Sequence, residues 1–102
     1  MTDADRDYVG SVTIDEDLID AVGLWAFEKV MVVSLTSGER LETYVIPGER
    51  GSGKVCMNGA AAHKIKKGHV VIIMGFEFAD SPGRPKVAII GEGNRLERML
   101  EL

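Results

Sequence analysis

Apolar and polar positions change period every few residues along this chain, and the pattern predicts short strands broken by turns. In DYVGSVTID (7–15) a Gly-Ser pair interrupts apolar β-formers, and Ser11 to Ile14 reads as a short strand. DEDLIDAVG follows, with acids at its start, Leu18, Ile19 and Val22 at helical spacing, and Gly23 as a stop. That is a short capped helix. Glu28 to Leu35 reads as a mostly apolar strand and TSGE (36–39) as a hairpin turn. Arg40 to Ile46 is the return strand, with Leu41, Thr43 and Val45 alternating against Glu42, Tyr44 and Ile46.

PGERGSG (47–53) then reads as a Gly-rich loop and Lys54 to Met57 as a strand. Asn58 is expected to cap a brief Ala-rich turn, GAAAH, that ends near Lys64. Lys66-Lys67-Gly68 is a turn. His69 to Phe78 reads as the longest strand, buried on both faces along its apolar first half. ADSPGRP is a loop, Lys86 to Ile90 the last clear strand, and EGN a turn into a polar tail, RLERMLEL. Six or so short strands with two small helices predict a mainly β chain, a closed or nearly closed barrel.

A length of 102 residues allows one domain. Composition is ordinary for a globular protein, at 45% apolar and 27% charged, so no special class is indicated. A net charge of −4 argues against nucleic acid as the main partner, because binding phosphates needs a cationic face. Lys64, Lys66 and Lys67 form the one basic cluster and read as a solvated rim. The longest apolar run, Val70 to Gly75, is far shorter than the roughly 20 residues of a membrane span. The polar start MTDADRD does not read as a signal peptide. Cys56, the single cysteine, reads as a small buried hydrophobe, and a cytoplasmic location fits.

Several groups carry candidate chemistry. Backbone N–H groups in PGERGSG can cradle an anion, but the Lys-Ser/Thr ending and long helix of a nucleotide loop are missing, so a flexible connection is the plainer reading. His63 and His69 have no partner at metal-ligand spacing, and no metal is expected. NGAAAH combines small side chains with a helix start, which suits either a carboxylate or simple tight packing. Arg40 and Tyr44 share one strand face with Glu42 between them. An Arg can clamp a carboxylate and a Tyr hydroxyl can protonate a carbanion, although a charged strand face is often just solvated.

Together, YVGSVTID (8–15), the acidic helix ending AVG (21–23), TSGERLETY (36–44), PGERGSG (47–53) and NGAAAH (58–63) resemble one family, the pyruvoyl-dependent aspartate 1-decarboxylases. The resemblance implies a double-psi β-barrel with two short helices, assembled as a homotetramer. It implies a precursor that cuts itself between Gly10 and Ser11, leaving 1–10 as the β-chain and 11–102 as the α-chain. Ser11 would attack the Gly10 carbonyl, and elimination and hydrolysis would convert it to a covalent pyruvoyl group. That group would form a Schiff base with L-aspartate and act as electron sink, so that β-alanine and CO2 leave, for pantothenate and coenzyme A synthesis. Carried over by position, Tyr44 is the proton donor, and Arg40, Thr43, Asn58, Gly59, Ala60 and Ala61 bind substrate, Asn58 also orienting the cleavage site.

The family usually has a further N-terminal strand carrying a lysine and a histidine. Met1 falls where a strand valine is expected, as if a GTG valine codon had been taken for a start; a genuine truncation would instead leave an unpaired barrel edge. Asp7 stands where a histidine is common, which bears on the speed of cleavage. A maturation factor is a further possible partner. Two other readings follow: a pyruvoyl decarboxylase of another amino acid, and an unprocessed barrel that serves as a binding or scaffold protein.

Overall fold

Alternation along the strands decides which residues meet in the core. The computed structural model describes residues 10–77, 79–81 and 83–100, so the readings placed on Met1, Asp7 and Tyr8, on Phe78 and on the last two residues lie outside them. The elements run β1 (Ser11–Asp15), α1 (Glu16–Val22), β2 (Lys29–Ser34), β3 (Arg40–Gly48), β4 (Val55–Asn58), α2 (Ala61–Lys64), β5 (Val71–Met74), β6 (Val87–Ile90), a 3-10 turn (Glu92–Asn94) and β7 (Leu96–Leu100). Five strands form a curled sheet in the order β4-β1-β3-β2-β5, and β6 and β7 form a separate hairpin. The architecture is the mainly β, double-psi barrel type with two short helices.

β1 runs parallel to β3, with Val12 opposite Val45, and antiparallel to β4, with Ser11 opposite Asn58. The connection from β1 to β3 runs through α1 and β2, and β2, antiparallel to β3, carries the chain back so that β3 can run parallel to β1. Val12, Val30, Val32 and Val45 are fully buried, each contributing about 1.5–3 kcal/mol by leaving water. Ile14, Leu18, Ile19, Leu41, Ala61 and Ile65 complete the core.

α1 is bounded as its sequence predicts. The Asp15 carboxylate accepts the Asp17 N–H at 2.8 Å, and Gly23 closes the helix in the left-handed region at φ 77°. Asp15 also binds the 49–54 loop: its two oxygens accept the N–H groups of Gly51 (3.1 Å) and Gly53 (2.9 Å). The Gly-rich loop is therefore not a loose connection. It does cradle an anion, and the anion is the chain's own. Pro47 and Gly48 belong to β3 instead of the loop.

The bond from Gly53 most of all, joined by those from Asp17 and Gly51 and by the positive Arg95, holds the Asp15 carboxyl below its ordinary value, against the opposing effect of burial. A depressed folded value stabilises the fold above the unfolded value and loses that contribution as pH falls. Urea midpoints should therefore drop more steeply below about pH 4 in wild type than in Asp15→Asn. Equal slopes would show that Asp15 does not link the fold to pH.

Three expectations are corrected. His69 to Phe78 is not the longest strand; β3 is, and β5 is a four-residue edge strand with Ile72 exposed on it and Val70 exposed just before it. RLERMLEL is not a tail, since Leu96–Leu100 pairs with β6. Asn58 does not cap the second helix: Ala60 precedes it, without a side-chain cap, and Asn58 ends β4.

Candidate functional site

β1 presents two faces. Val12 and Ile14 point into the core, while Ser11, Thr13 and Asp15 share the other side. The antiparallel register with β4 sets Asn58 opposite Ser11 and Cys56 opposite Thr13. Asn58 Nδ2 consequently donates to both hydroxyls, to Ser11 Oγ at 3.0 Å and Thr13 Oγ1 at 2.8 Å. The Cys56 thiol lies 3.7 Å from Asn58 Oδ1 as a weak donor and is only half-buried, so it is not the plain core hydrophobe its apolar neighbours suggest.

The parallel register with β3 brings in a fourth group. Val12 faces Val45, so two residues back along each strand Gly10 comes beside Thr43. The Thr43 hydroxyl donates to the Gly10 carbonyl at 2.8 Å, in a buried setting. Gly10, Ser11 and Thr43 are all buried, so the Thr43–Gly10 bond is shielded from competing water.

Gly10 has φ 87°, where side chains are strained. A Cβ there would lie 2.0 Å from the Asn58 carbonyl oxygen. Glycine thus lets β1 and the Asn58-Gly59 backbone close on each other. The junction before Ser11 is a buried, left-handed peptide whose carbonyl accepts a hydroxyl bond. Its following hydroxyl is held by an amide. Such an arrangement suits attack of a hydroxyl on a polarised carbonyl.

The other expected site residues divide. Gly59 lies against Gly10. Ala60 is exposed, and Ala61 is buried in the core at the start of α2. Arg40 and Tyr44 do share a face with Glu42, as the alternation predicts, but it is the face of β3 opposite Thr43. Glu42 there pairs with Lys29 at 2.8 Å, and Lys29 stands in register with Tyr44. Within one chain the structure therefore gathers Gly10, Ser11, Thr43, Asn58 and Gly59 and keeps Arg40 and Tyr44 apart from them.

His63 is exposed, and His69 Nδ1 lies 3.1 Å from the buried Ser34 hydroxyl. Among the described residues, no group of three His, Cys, Asp or Glu gathers as a metal site, and no helix is long and apolar enough to cross a membrane. Thr13 and Asp15 escaped sequence reasoning as polar anchors. Their signal was the polar-apolar alternation of SVTID.

The aspartate decarboxylase family model matches residues 1–97. An aspartate 1-decarboxylase of Bacillus licheniformis is 56% identical to the chain, one of Bacillus subtilis 50%, and one of Neisseria meningitidis 46%. Each alignment covers 98% of this chain and 82% of the relative.

Proposed function

Because the chain belongs to the aspartate decarboxylase family, we propose that it cuts itself between Gly10 and Ser11 and then converts L-aspartate to β-alanine and CO2. The Thr43 hydroxyl on the Gly10 carbonyl, 2.8 Å away, is the observation that carries this reading. Ser11 Oγ attacks the Gly10 carbonyl carbon, and Thr43 stabilises the negative charge that develops on its oxygen. The C–N bond breaks, the acyl group moves to Oγ, and the Ser11 nitrogen takes up a proton. Loss of the Ser11 α-proton then expels Gly10 as a carboxylate and leaves dehydroalanine. Tautomerisation and hydrolysis release ammonia and leave a pyruvoyl group at position 11.

The residues present fit that group's formation: a glycine that admits close approach, a polarised carbonyl and a held hydroxyl. A pyruvoyl group supplies a ketone that condenses with the substrate amine and takes up the electron pair freed by decarboxylation. Asn58 orients position 11, Arg40 pairs with a substrate carboxylate, and Tyr44 gives a proton to the substrate carbon. Thr43 and the backbone of Gly59, Ala60 and Ala61 line the bound substrate. Arg40 and Tyr44 lie on the far face of β3, which supports a homotetramer whose sites are completed between protomers. β-Alanine would feed pantothenate and coenzyme A synthesis in the cytoplasm.

Thr43→Val keeps the shape and removes the donor. Cleavage should slow by about 10²–10³, the usual cost of one such donor. Cleavage at the wild-type rate would remove Thr43 from the chemistry. For turnover, the cleaved protein is given L-aspartate and other amino acids in turn, and product is identified by mass. β-Alanine from L-aspartate is expected. Product from another amino acid alone would shift the substrate, and none from any would leave a scaffold.

A further inference from the structure

We infer that Thr13 is a positioning residue for self-cleavage, acting through the Asn58 amide. This rests on the self-processing reading above. Asn58 has two N–H hydrogens and one oxygen, and their placement decides what Ser11 experiences. In the structure Nδ2 donates to Ser11 Oγ at 3.0 Å, so Asn58 occupies one lone pair of Oγ and leaves its proton unheld.

Thr13 anchors that amide in place. Its Oγ1 accepts the second N–H at 2.8 Å, the shorter of the two bonds. Cys56 flanks the amide on its other side, its thiol directed at Oδ1. Thr13 is itself fixed. It is β-branched and so stiff at χ1. Its methyl packs beside Gly48, where an added Cβ would come within 3.0 Å of it. With the methyl seated there, the hydroxyl faces Asn58.

Neither Thr13 nor Cys56 needs to touch the scissile carbonyl. Their effect is on the fraction of molecules in which Ser11 is ready to attack. Thr13→Val keeps the branched shape and strand propensity but removes the acceptor. Thr13→Ser keeps the acceptor but removes the methyl.

The test follows cleavage of newly made chain by denaturing mass spectrometry in wild type, Thr13→Val and Thr13→Ser. Unfolding midpoints of the same substitutions, made in an uncleavable Ser11→Ala background, check the fold. Thr13→Val should cut about tenfold more slowly, the effect of one ordinary hydrogen bond, with Thr13→Ser close to wild type and the midpoints similar. Wild-type speed in Thr13→Val would overturn the inference while leaving self-cleavage intact. So would equal slowing in both variants, since the methyl packing would then be responsible. A wild-type chain that never cuts would remove the self-processing reading and this inference with it.

Discussion

Gly10→Ala leaves the chain uncut. An alanine there meets two separate obstacles. The first is dihedral, since φ 87° is a strained region for any residue with a Cβ, costing about 1–3 kcal/mol. The second is steric: the new Cβ would sit 2.0 Å from the Asn58 carbonyl oxygen, backbone that cannot rotate away. β1 and β4 must part at this end, and Asn58 loses its grip on Ser11. Gly38 provides the comparison. It has φ 80° but no neighbour within 4 Å of an added Cβ, so Gly38→Ala carries the dihedral cost alone. For a domain of this size, each kcal/mol lowers the melting midpoint by about 4–8 °C. Gly38→Ala should melt lower yet cleave normally. Gly10→Ala should melt lower still and remain one chain. Normal cleavage in Gly10→Ala would mean that the close approach of Gly10 to Asn58 is unnecessary for the chemistry.

Tyr44→Phe separates making the enzyme from running it. Tyr44 lies on the face of β3 opposite Thr43, away from the Gly10–Ser11 peptide of its own chain. Removing its hydroxyl should leave cleavage at the wild-type rate. Turnover of L-aspartate should fall by about 10²–10⁴, the usual contribution of a positioned acid. The comparison uses initial rates of β-alanine formation by fully cleaved protein. Slow cleavage with normal turnover would reverse the assignment, and unchanged turnover would remove Tyr44 as proton donor. Together with Thr43→Val, this variant asks whether adjacent residues of one strand serve two steps from two faces.

Local signals carried the parts of the fold that were readable beforehand. Asp15 and Gly23 bound α1 because capping depends on neighbours within a few residues. The β2–β3 hairpin was legible from its turn and from the alternation of Leu41, Thr43 and Val45, which the core confirms. Long-range pairing was harder to read. Asn58 has the composition of a helix cap, but its place opposite Ser11 directs the amide across the sheet. β7 was hidden because its residues Leu96 to Met99 are all exposed, so no buried face imprints a period on RLERMLEL. In β5, hydrophobicity does not mean burial: the edge strand leaves nearly half of Ile72 in water.

The candidate site shows the same division. Ser11 and Gly10 drew attention as a junction, and Arg40 and Tyr44 were correctly placed on one face. Which face met Ser11 depended on the parallel β1–β3 register, for which the sequence has no local sign. The link between Asp15 and the Gly51 and Gly53 N–H groups spans more than thirty residues and leaves no local sign in the sequence.

The central claim is that the Gly10–Ser11 peptide cuts itself, and the intact mass of the purified chain under denaturing conditions tests it most directly. Two pieces are expected, ending at Gly10 and beginning at position 11, the larger lighter by one ammonia than a chain starting with serine. Ser11→Ala should give one uncut chain. A wild-type chain that stays whole, after incubation long enough for slow cleavage and with cell extract added to supply any maturation factor, would contradict the account.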